Sequence, residues 1–96
     1  MTELIVLPIA KGEYFTALDW YTGKSNSAAR RFASKIDSIF ERIYASPDLF
    51  PHWDSTYRFG LVEKFPYYVA YRTTPAAIVI VAIRHTSQDQ EAWQGR

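Results

Sequence analysis

Residues 57–85 read YRFGLVEKFPYYVAYRTTPAAIVIVAIRH, and this stretch decides the fold. Over 57–64 the side chains alternate between apolar and polar or small, which is the period of a β-strand. A tight connection around Pro66 leads to a second strand at 68–72, and a turn then leads to the apolar run 78–83. The sequence therefore predicts a three-stranded β-meander, whose last strand is central in the sheet and covered on both faces.

One short strand and one helix begin the chain. The apolar run at 4–7 is ended by Pro8, and its length favours a strand over a helix. Over 9–22 the apolar residues recur at intervals of three and four, which places them on one helical face. We expect this first helix to end near Gly23, where a few residues join it to a second helix.

A second helix fills the space before the meander. Ser25 and Asn26 are N-cap candidates, and Ser46-Pro47 ends the helix because a proline disfavours helical geometry at the residue before it. Residues 48–56 read as a packed loop, and 89–93 as a last short helical turn. The order β-α-α-β-β-β predicts an α+β fold in which a helical hairpin packs on an antiparallel-rich sheet.

Length and composition predict one small domain, residues 1–96. Hydrophobic residues make up 48% of the chain and charged residues 22%, which is a globular composition. The chain has no cysteine, which suits a reducing cytoplasm. Its start has neither a basic segment nor a long apolar run, so we expect a cytoplasmic protein with no signal peptide and no membrane span.

Few residue patterns point to chemistry. Only His52 and His85 are present and the four glycines stand alone, so the sequence predicts no metal, no phosphate-binding glycine loop and no cofactor. No serine lies in a nucleophile elbow. Arg84-His85, at the end of the central strand, pairs an imidazole with a guanidinium that could move protons or position phosphate. The structural alternative is that His85 binds a loop and Arg84 makes a surface ion pair.

Three cations of the meander could share a surface. Arg58 and Lys64 lie on one face of the first strand by parity, and Arg72 could lie across from them. Such a surface would contact phosphate or an acidic partner, although charges on strand edges also serve to prevent aggregation. The formal net charge of only +1 argues against a protein held mainly by phosphates.

The order and spacing of several short motifs resemble the RelE/ParE superfamily of type II toxin-antitoxin systems, in its ParE-like branch. The resemblance covers nearly the whole chain. Its motifs are Trp20-Tyr21, Arg31-Phe32 with Ile36 and Ile43, Ser46-Pro47, Phe50-Pro51, Arg58, Phe65-Pro66-Tyr67, Val69-Ala70-Tyr71-Arg72, Ile80-Val81-Ala82-Ile83-Arg84-His85, Asp89 and Trp93.

The resemblance implies a RelE/ParE-like fold and a toxin of the plasmid-stabilisation type. Its partner would be a cognate antitoxin protein, whose extended segment wraps the helices and the sheet of the toxin. Apolar strips left uncovered by so small a fold would anchor that segment, and basic residues would attract its acidic ones. Our candidates for partner binding are Tyr14, Trp20, Tyr21, Arg31, Arg58, Arg72, Arg84 and Trp93.

The resemblance leaves the target open. RelE-like members cut messenger RNA on the ribosome, whereas ParE-like members inhibit DNA gyrase and have no known catalytic residues. If the chain were such a nuclease, its catalytic candidates would be Arg58, Lys64, Arg84 and His85. The strand exit lacks the tyrosine of some nuclease members, so we favour a noncatalytic gyrase inhibitor. The alternatives are the ribosome-dependent nuclease and a non-toxic homologue that only binds antitoxin.

Overall fold

A computed structural model describes residues 2–96 of the chain. The elements are β1 (Glu3–Val6), α1 (Pro8–Lys24), α2 (Asn26–Ala45), β2 (Arg58–Leu61), β3 (Tyr67–Thr73) and β4 (Ala77–His85), and a short 3-10 helix (Pro47–Leu49) follows α2. The predicted β-α-α-β-β-β order is confirmed. None of the helices within residues 2–96 is both long enough and apolar enough to cross a membrane.

The four strands form one mixed sheet in the order β1-β4-β3-β2. β1 runs parallel to β4, while the pairs β3–β4 and β2–β3 are antiparallel, so the sheet is antiparallel-rich as predicted. β4 lies between β1 and β3, which confirms it as a central strand. However, β1 pairs only with Ala77 to Ile80, so the last part of β4, residues 81–85, extends beyond its neighbour on that side.

The helical hairpin is tighter than the sequence indicated. The end of α1 near Gly23 is confirmed, because the helix ends at Lys24, but Ser25 alone separates the two helices. The Ser25 backbone N–H donates to Tyr21 at the end of α1, and its hydroxyl accepts the Ala28 N–H at the start of α2. One serine therefore closes one helix and caps the next, which leaves no room for the few-residue linker that we expected.

Two other predicted boundaries are shifted. β2 ends at Leu61, and Lys64 lies in the following turn with a φ of 69°, so it shares no strand face with Arg58. The turn expected over 89–93 lies slightly later, because turns cover 90–95 and the Gln94 N–H donates to the Glu91 carbonyl. The alternation of side chains continues in the sequence from Leu61 to Lys64, so the sequence predicted a strand longer than β2.

The sheet is covered on both faces, as the apolar run predicted. On the inner face, α1 and α2 pack their apolar stripes on alternate side chains of the sheet, with Phe32 and Ile43 fully buried. On the outer face the cover is the tail, because Trp93 is fully buried against Tyr57 and Tyr68. Its indole N–H donates to the Tyr68 hydroxyl at 2.8 Å, so the polar edge of this buried ring is satisfied.

Candidate functional site

A groove of about 840 Å³ runs between one flank of α1 and the end of the sheet. We call it the α1 groove. Most of its exposed surface is apolar, and polar groups lie mainly at the end where β4 leaves the sheet. The residues that matter below are Ile9, Glu13, Trp20, Tyr21, Tyr67, His85 and Ser87.

The helical side of the α1 groove carries large apolar side chains that the fold leaves in solvent. Ile9 is 51% exposed and Trp20 is 57% exposed. Lys24 lies over the Trp20 ring at 4.7 Å from its centroid, which holds the ring in place one helical turn away. The apolar residues of α1 are distributed around the helix, and only Ala10 and Ala17 among its residues are buried. The helix therefore buries one stripe on the sheet and keeps a second apolar flank in solvent.

Glu13, at the side of the α1 groove, covers the edge of β4 that β1 does not reach. Its carboxylate accepts the Ile83 backbone N–H at 3.1 Å and the Arg84 guanidinium at 2.7 Å. Arg96 donates to the same carboxylate at 3.1 Å and to the Val81 carbonyl at 3.1 Å. The Glu13 carboxylate and the Arg96 guanidinium thus form the hydrogen bonds to the edge of β4 that a neighbouring strand would form. They connect α1, β4 and the tail.

His85 faces the α1 groove with a fixed ring. The Ser87 backbone N–H donates to His85 Nδ1 at 3.0 Å, and the Ser87 hydroxyl lies 2.8 Å from the same nitrogen. Because a backbone N–H can only donate, Nδ1 is the acceptor of this bond, which leaves Nε2 as the ring nitrogen that can donate. The Tyr67 ring meets the imidazole edge to face at 5.2 Å. His85 therefore offers one N–H donor to whatever occupies the groove.

Arg58 and Arg84, two of the four nuclease candidates, do not converge. Arg58 lies opposite Tyr71 and Arg84 opposite Tyr68, and with strands about 4.8 Å apart and a rise of about 3.3 Å per residue their Cα atoms are roughly 14 Å apart. Arg58 donates to the Phe50 carbonyl at 2.6 Å, whereas Arg84 is paired with Glu13. The bond from Ser87 to His85 is the loop contact of the structural alternative, whereas the ion pair of Arg84 is largely buried and not at the surface.

The partner candidates divide into two groups. Trp20 lies on the surface of the α1 groove and Tyr21 lines its base, stacked on Phe32 at 4.9 Å between centroids. Burial, and then the nearby Tyr67, raises the pKa of Tyr21, so its hydroxyl stays neutral. Trp93 has no exposed surface, so a partner would reach it only after the tail moved away.

The remaining candidates lie outside the α1 groove. Tyr14 is half-buried and stacks on Phe32 at 6.0 Å between centroids. Arg31 donates to the Ser27 hydroxyl one turn earlier on the exposed side of α2, and Arg72 donates to the Arg96 carbonyl. Within residues 2–96 there is no group of three or more histidine or acidic side chains that could hold a metal ion.

Sequence reasoning missed Ile9, Glu13 and Arg96. The helical pattern gave Ile9 no role of its own, and the exposed flank of α1 becomes visible only once the helix is placed on the sheet. Glu13 and Arg96 are distant in sequence, and no local pattern connects two charges so far apart. The single available signal was that Ile9, Glu13 and Trp20 fall on one side of the helix at spacings of four and seven.

Comparison with known proteins identifies the family to which this chain belongs. The family model described as "ParE toxin of type II toxin-antitoxin system, parDE" matches residues 4–90, which is almost the whole chain. The chain belongs to the ParE toxin family. Curated relatives agree: Toxin ParE2 from two strains of Mycobacterium tuberculosis is 33% identical over 81 residues, covering 83% of this chain and 77% of the relative.

A solved structure of a ParDE system contains a chain with the same fold. The chain is similar to a chain of the structure titled "Chromosomal ParDE TA system from P. aeruginosa", with a TM-score of 0.65 at 16% identity. The match covers 88% of this chain and 96% of that one. The β-α-α-β-β-β arrangement, with two helices on a four-stranded mixed sheet, therefore matches a chain of a ParDE structure.

Proposed function

We propose that this ParE-family chain is a toxin that inhibits DNA gyrase without catalysis of its own, and that a cognate antitoxin neutralises it by occupying the α1 groove. The observation that carries the proposal is the exposed apolar flank of α1, with Ile9 and Trp20, beside the edge of β4. A small domain gains nothing in stability from leaving these side chains in water, and contiguous exposed apolar surface is typical of a protein-binding site.

The chemistry of the α1 groove suits an extended segment of an acidic protein. Trp20 and Ile9 supply apolar anchors, and His85 supplies an N–H donor at the far end. Glu13 neutralises only one of the two guanidinium groups that contact it, Arg84 and Arg96, which leaves an excess positive charge beside the groove. An acidic residue of the segment would complement that charge and increase the association rate.

Trp20 gives a direct test of the antitoxin site. We expect Trp20→Ser to weaken binding of the antitoxin encoded beside the gene by roughly 30-fold or more, the loss typical of a central aromatic anchor. Phe15→Ser is the matched control, because Phe15 is 56% exposed on the same helix but outside the groove. Calorimetric titration of both variants measures the difference, and equal losses for the two would exclude the α1 groove as the binding site.

The absence of catalysis is supported by the separation of Arg58 from Arg84. Cleavage by a 2′-hydroxyl needs a base, an acid and a cation around one phosphate. Here Glu13 already pairs the charge of Arg84, and the Ser87 N–H occupies His85 Nδ1, so Arg84 is not free as the cation and Nδ1 is not free as the base. Gyrase inhibition by a binding mechanism requires no such convergence, and we therefore favour it over the ribosome-dependent nuclease.

Induction in bacteria separates these functions. We expect the chain to arrest growth when induced without antitoxin, and Lys64→Ala and His85→Ala to remain toxic, because neither residue performs a chemical step. Primer extension on messenger RNA from the induced cells is expected to show no new cleavage sites. A harmless chain would favour the antitoxin-binding homologue. New cleavage sites in cells that express the unmodified chain, together with loss of toxicity in His85→Ala, would favour the nuclease.

A further inference from the structure

One side of α2 carries a row of positive and hydroxyl side chains. Because an α-helix has about 3.6 residues per turn, residues that follow at intervals of three and four lie along one side. This row, which we call the α2 stripe, consists of Ser27, Arg31, Lys35, Ser38 and Arg42. Both acidic residues of α2, Asp37 and Glu41, lie outside it. Burial, and then the charge of Asp37, raises the pKa of Tyr14 in α1, so the acidic flank of α2 is the one that faces α1.

The α2 stripe lies beside the turn that joins β2 to β3. Lys35 Nζ is 2.9 Å from a carboxylate oxygen of Glu63 in that turn. The hydrogen bond and the charge of Lys35, and then the charges of Lys64 and Arg42, hold the pKa of the Glu63 carboxyl below its ordinary value. Lys64 therefore extends the stripe from the helix onto the neighbouring turn, and three cations lie close to one carboxylate.

Most of the positive charge in this region is not neutralised. Arg31 donates to the Ser27 hydroxyl at 2.6 Å, and the Arg42 guanidinium lies over the Phe50 ring at 5.2 Å from its centroid, so both contacts are with neutral groups. Among residues 2–96, neither arginine lies within 4 Å of an acidic side chain, and the same holds for Lys64. The tail of the chain packs on the outer face of the sheet, whereas α2 packs on the inner face.

The charge of the chain is unevenly divided. The α2 stripe and Lys64 contain four of the eleven Lys and Arg residues, and Glu63 is the one acidic residue of the ten that pairs with them. This region therefore has a formal charge of +3, and the rest of the chain has a formal charge of −2. Arg31 and Lys35 are four residues apart, a spacing at which like charges destabilise a helix, so the fold gains no stability from the arrangement. The low net charge thus conceals one strongly positive face.

The chemistry of this face restricts its partner. Within residues 2–96, none of the large apolar side chains that are exposed belongs to the α2 stripe, although such side chains usually anchor a protein partner. An exposed aromatic ring, on which the unstacked bases of a single strand would pack, is likewise not part of the stripe. Guanidinium, ammonium and hydroxyl groups are instead the donors that contact the phosphates of a nucleic-acid backbone.

The length of the positive row suits a duplex. From Arg31 to Arg42 the helix rises about 16 Å, at about 1.5 Å per residue. One strand of duplex DNA has a phosphate for about every 3.4 Å of the helix axis, so the row spans roughly five phosphates. The cations of α2 are held on one rigid element, which limits the loss of conformational freedom when they bind a regular backbone.

From these observations we propose that the α2 stripe and Lys64 bind the phosphate backbone of duplex DNA without reading its sequence. Arg31, Arg42 and Lys64 contact phosphates, and the two serine hydroxyls of the stripe add neutral contacts. Lys35 contributes less, because Glu63 competes with phosphate for it. The α2 stripe is separate from the α1 groove, so DNA binding here depends neither on the antitoxin nor on gyrase.

Fluorescence anisotropy of a short labelled DNA duplex, titrated with the intact chain at several salt concentrations, tests this proposal. Each phosphate contact contributes about −0.9 to the slope of log K against log salt concentration, so three contacts predict a slope of about −2.7. By the same relation, each contact changes the affinity by about eightfold at about 0.1 M salt. We expect Arg31→Gln and Lys64→Gln each to weaken binding by about that factor and to reduce the slope by about one. Arg30→Gln, an exposed arginine on the acidic flank of α2, is the matched control and should leave the slope unchanged.

Glu63→Gln separates binding from folding. It releases Lys35 from an exposed ion pair whose loss should leave the unfolding midpoint unchanged, so binding should become tighter, by up to about eightfold, with a steeper slope. Damage to the fold would not produce such a gain. Equal losses for Arg30→Gln and Arg31→Gln, or no salt-dependent binding of the duplex, would overturn the proposal. Tighter binding of the single strand, or of a glutamate-rich peptide with the same dependence on Arg31, would also overturn it, and the peptide result would assign the stripe to an acidic protein.

Discussion

Trp93 is the residue whose removal should damage the fold most. The ring is fully buried on the outer face of the sheet, it meets Tyr57 and Trp53 edge to face, and its N–H donates to the Tyr68 hydroxyl. Truncating a buried Trp to Ala costs about 3–5 kcal/mol through lost burial and the cavity left behind. A domain of this size has a total stability of about 5–14 kcal/mol, so Trp93→Ala should remove a large part of it.

Thermal unfolding followed by circular dichroism measures this effect. For a domain of about 100 residues, 1 kcal/mol shifts Tm by about 4–8 °C, so we expect Trp93→Ala to lower Tm by at least about 12 °C. The Tm of Trp93→Phe, which keeps a ring but loses the hydrogen bond to Tyr68, should lie between those of the unmodified chain and Trp93→Ala. Trp20→Ala is the matched control, because the same residue type is mostly exposed there. Equal Tm values for Trp93→Ala and Trp20→Ala would refute the packing of the tail on the sheet.

Three further changes test other parts of the fold. Glu13→Gln should cost roughly 2–3 kcal/mol in denaturant unfolding, because it leaves Arg84 and Arg96 without their shared carboxylate, whereas Glu63→Gln, in an exposed ion pair, should unfold like the unmodified chain. Gly60→Ala should cost about 1–2 kcal/mol, because a Cβ there would lie 2.8 Å from Ile39 Cδ1 and 2.9 Å from the Phe50 ring. Burial, opposed by Arg58 and assisted by Asp48, raises the pKa of Tyr71 to about 12, so the free energy of unfolding should fall as the pH rises from about 10 to 12.

Each of these expectations has a result that contradicts it. Glu13→Gln and Glu63→Gln with equal unfolding midpoints would mean that the edge of β4 does not need its carboxylate. An unchanged midpoint for Gly60→Ala would mean that the inner layer is loosely packed there. Tyr71→Phe should remove the largest single part of the fall in unfolding free energy at alkaline pH. The variant lacks the hydroxyl that donates to the Pro47 carbonyl and therefore has no proton to lose there. An identical alkaline profile for Tyr71→Phe would show that other groups cause the loss.

The sheet and the helices could be predicted from sequence because their signals are local. The apolar run at 78–83 required a strand covered on both faces, and the stripe of α2 required a surface to pack on. Ser25 was recognised as a cap for the same reason. The exact ends could not be predicted: Gly23 is tolerated inside α1, and Lys64 continues the alternation of β2 in sequence only.

The site was less predictable, since it depends on contacts between distant segments. Residue type cannot separate Trp20 from Trp93, yet Trp20 is mostly exposed and Trp93 is fully buried. Arg84 looked like a possible catalytic cation until Glu13, in the first helix, was found beside it. The family motif order was informative where the residue chemistry was not, because it depends on the whole chain rather than on any one side chain.

The central claim is that this ParE-family chain acts on gyrase by binding rather than by chemistry. The most direct measurement is the supercoiling of relaxed plasmid by purified gyrase, with increasing amounts of the chain and then with added antitoxin. We expect supercoiling to stop when the chain approaches the gyrase concentration, to stop equally with His85→Ala, and to resume when the antitoxin is added. Undiminished supercoiling at a large excess of the chain, with cleavage of ribosome-bound messenger RNA under the same conditions, would contradict the claim.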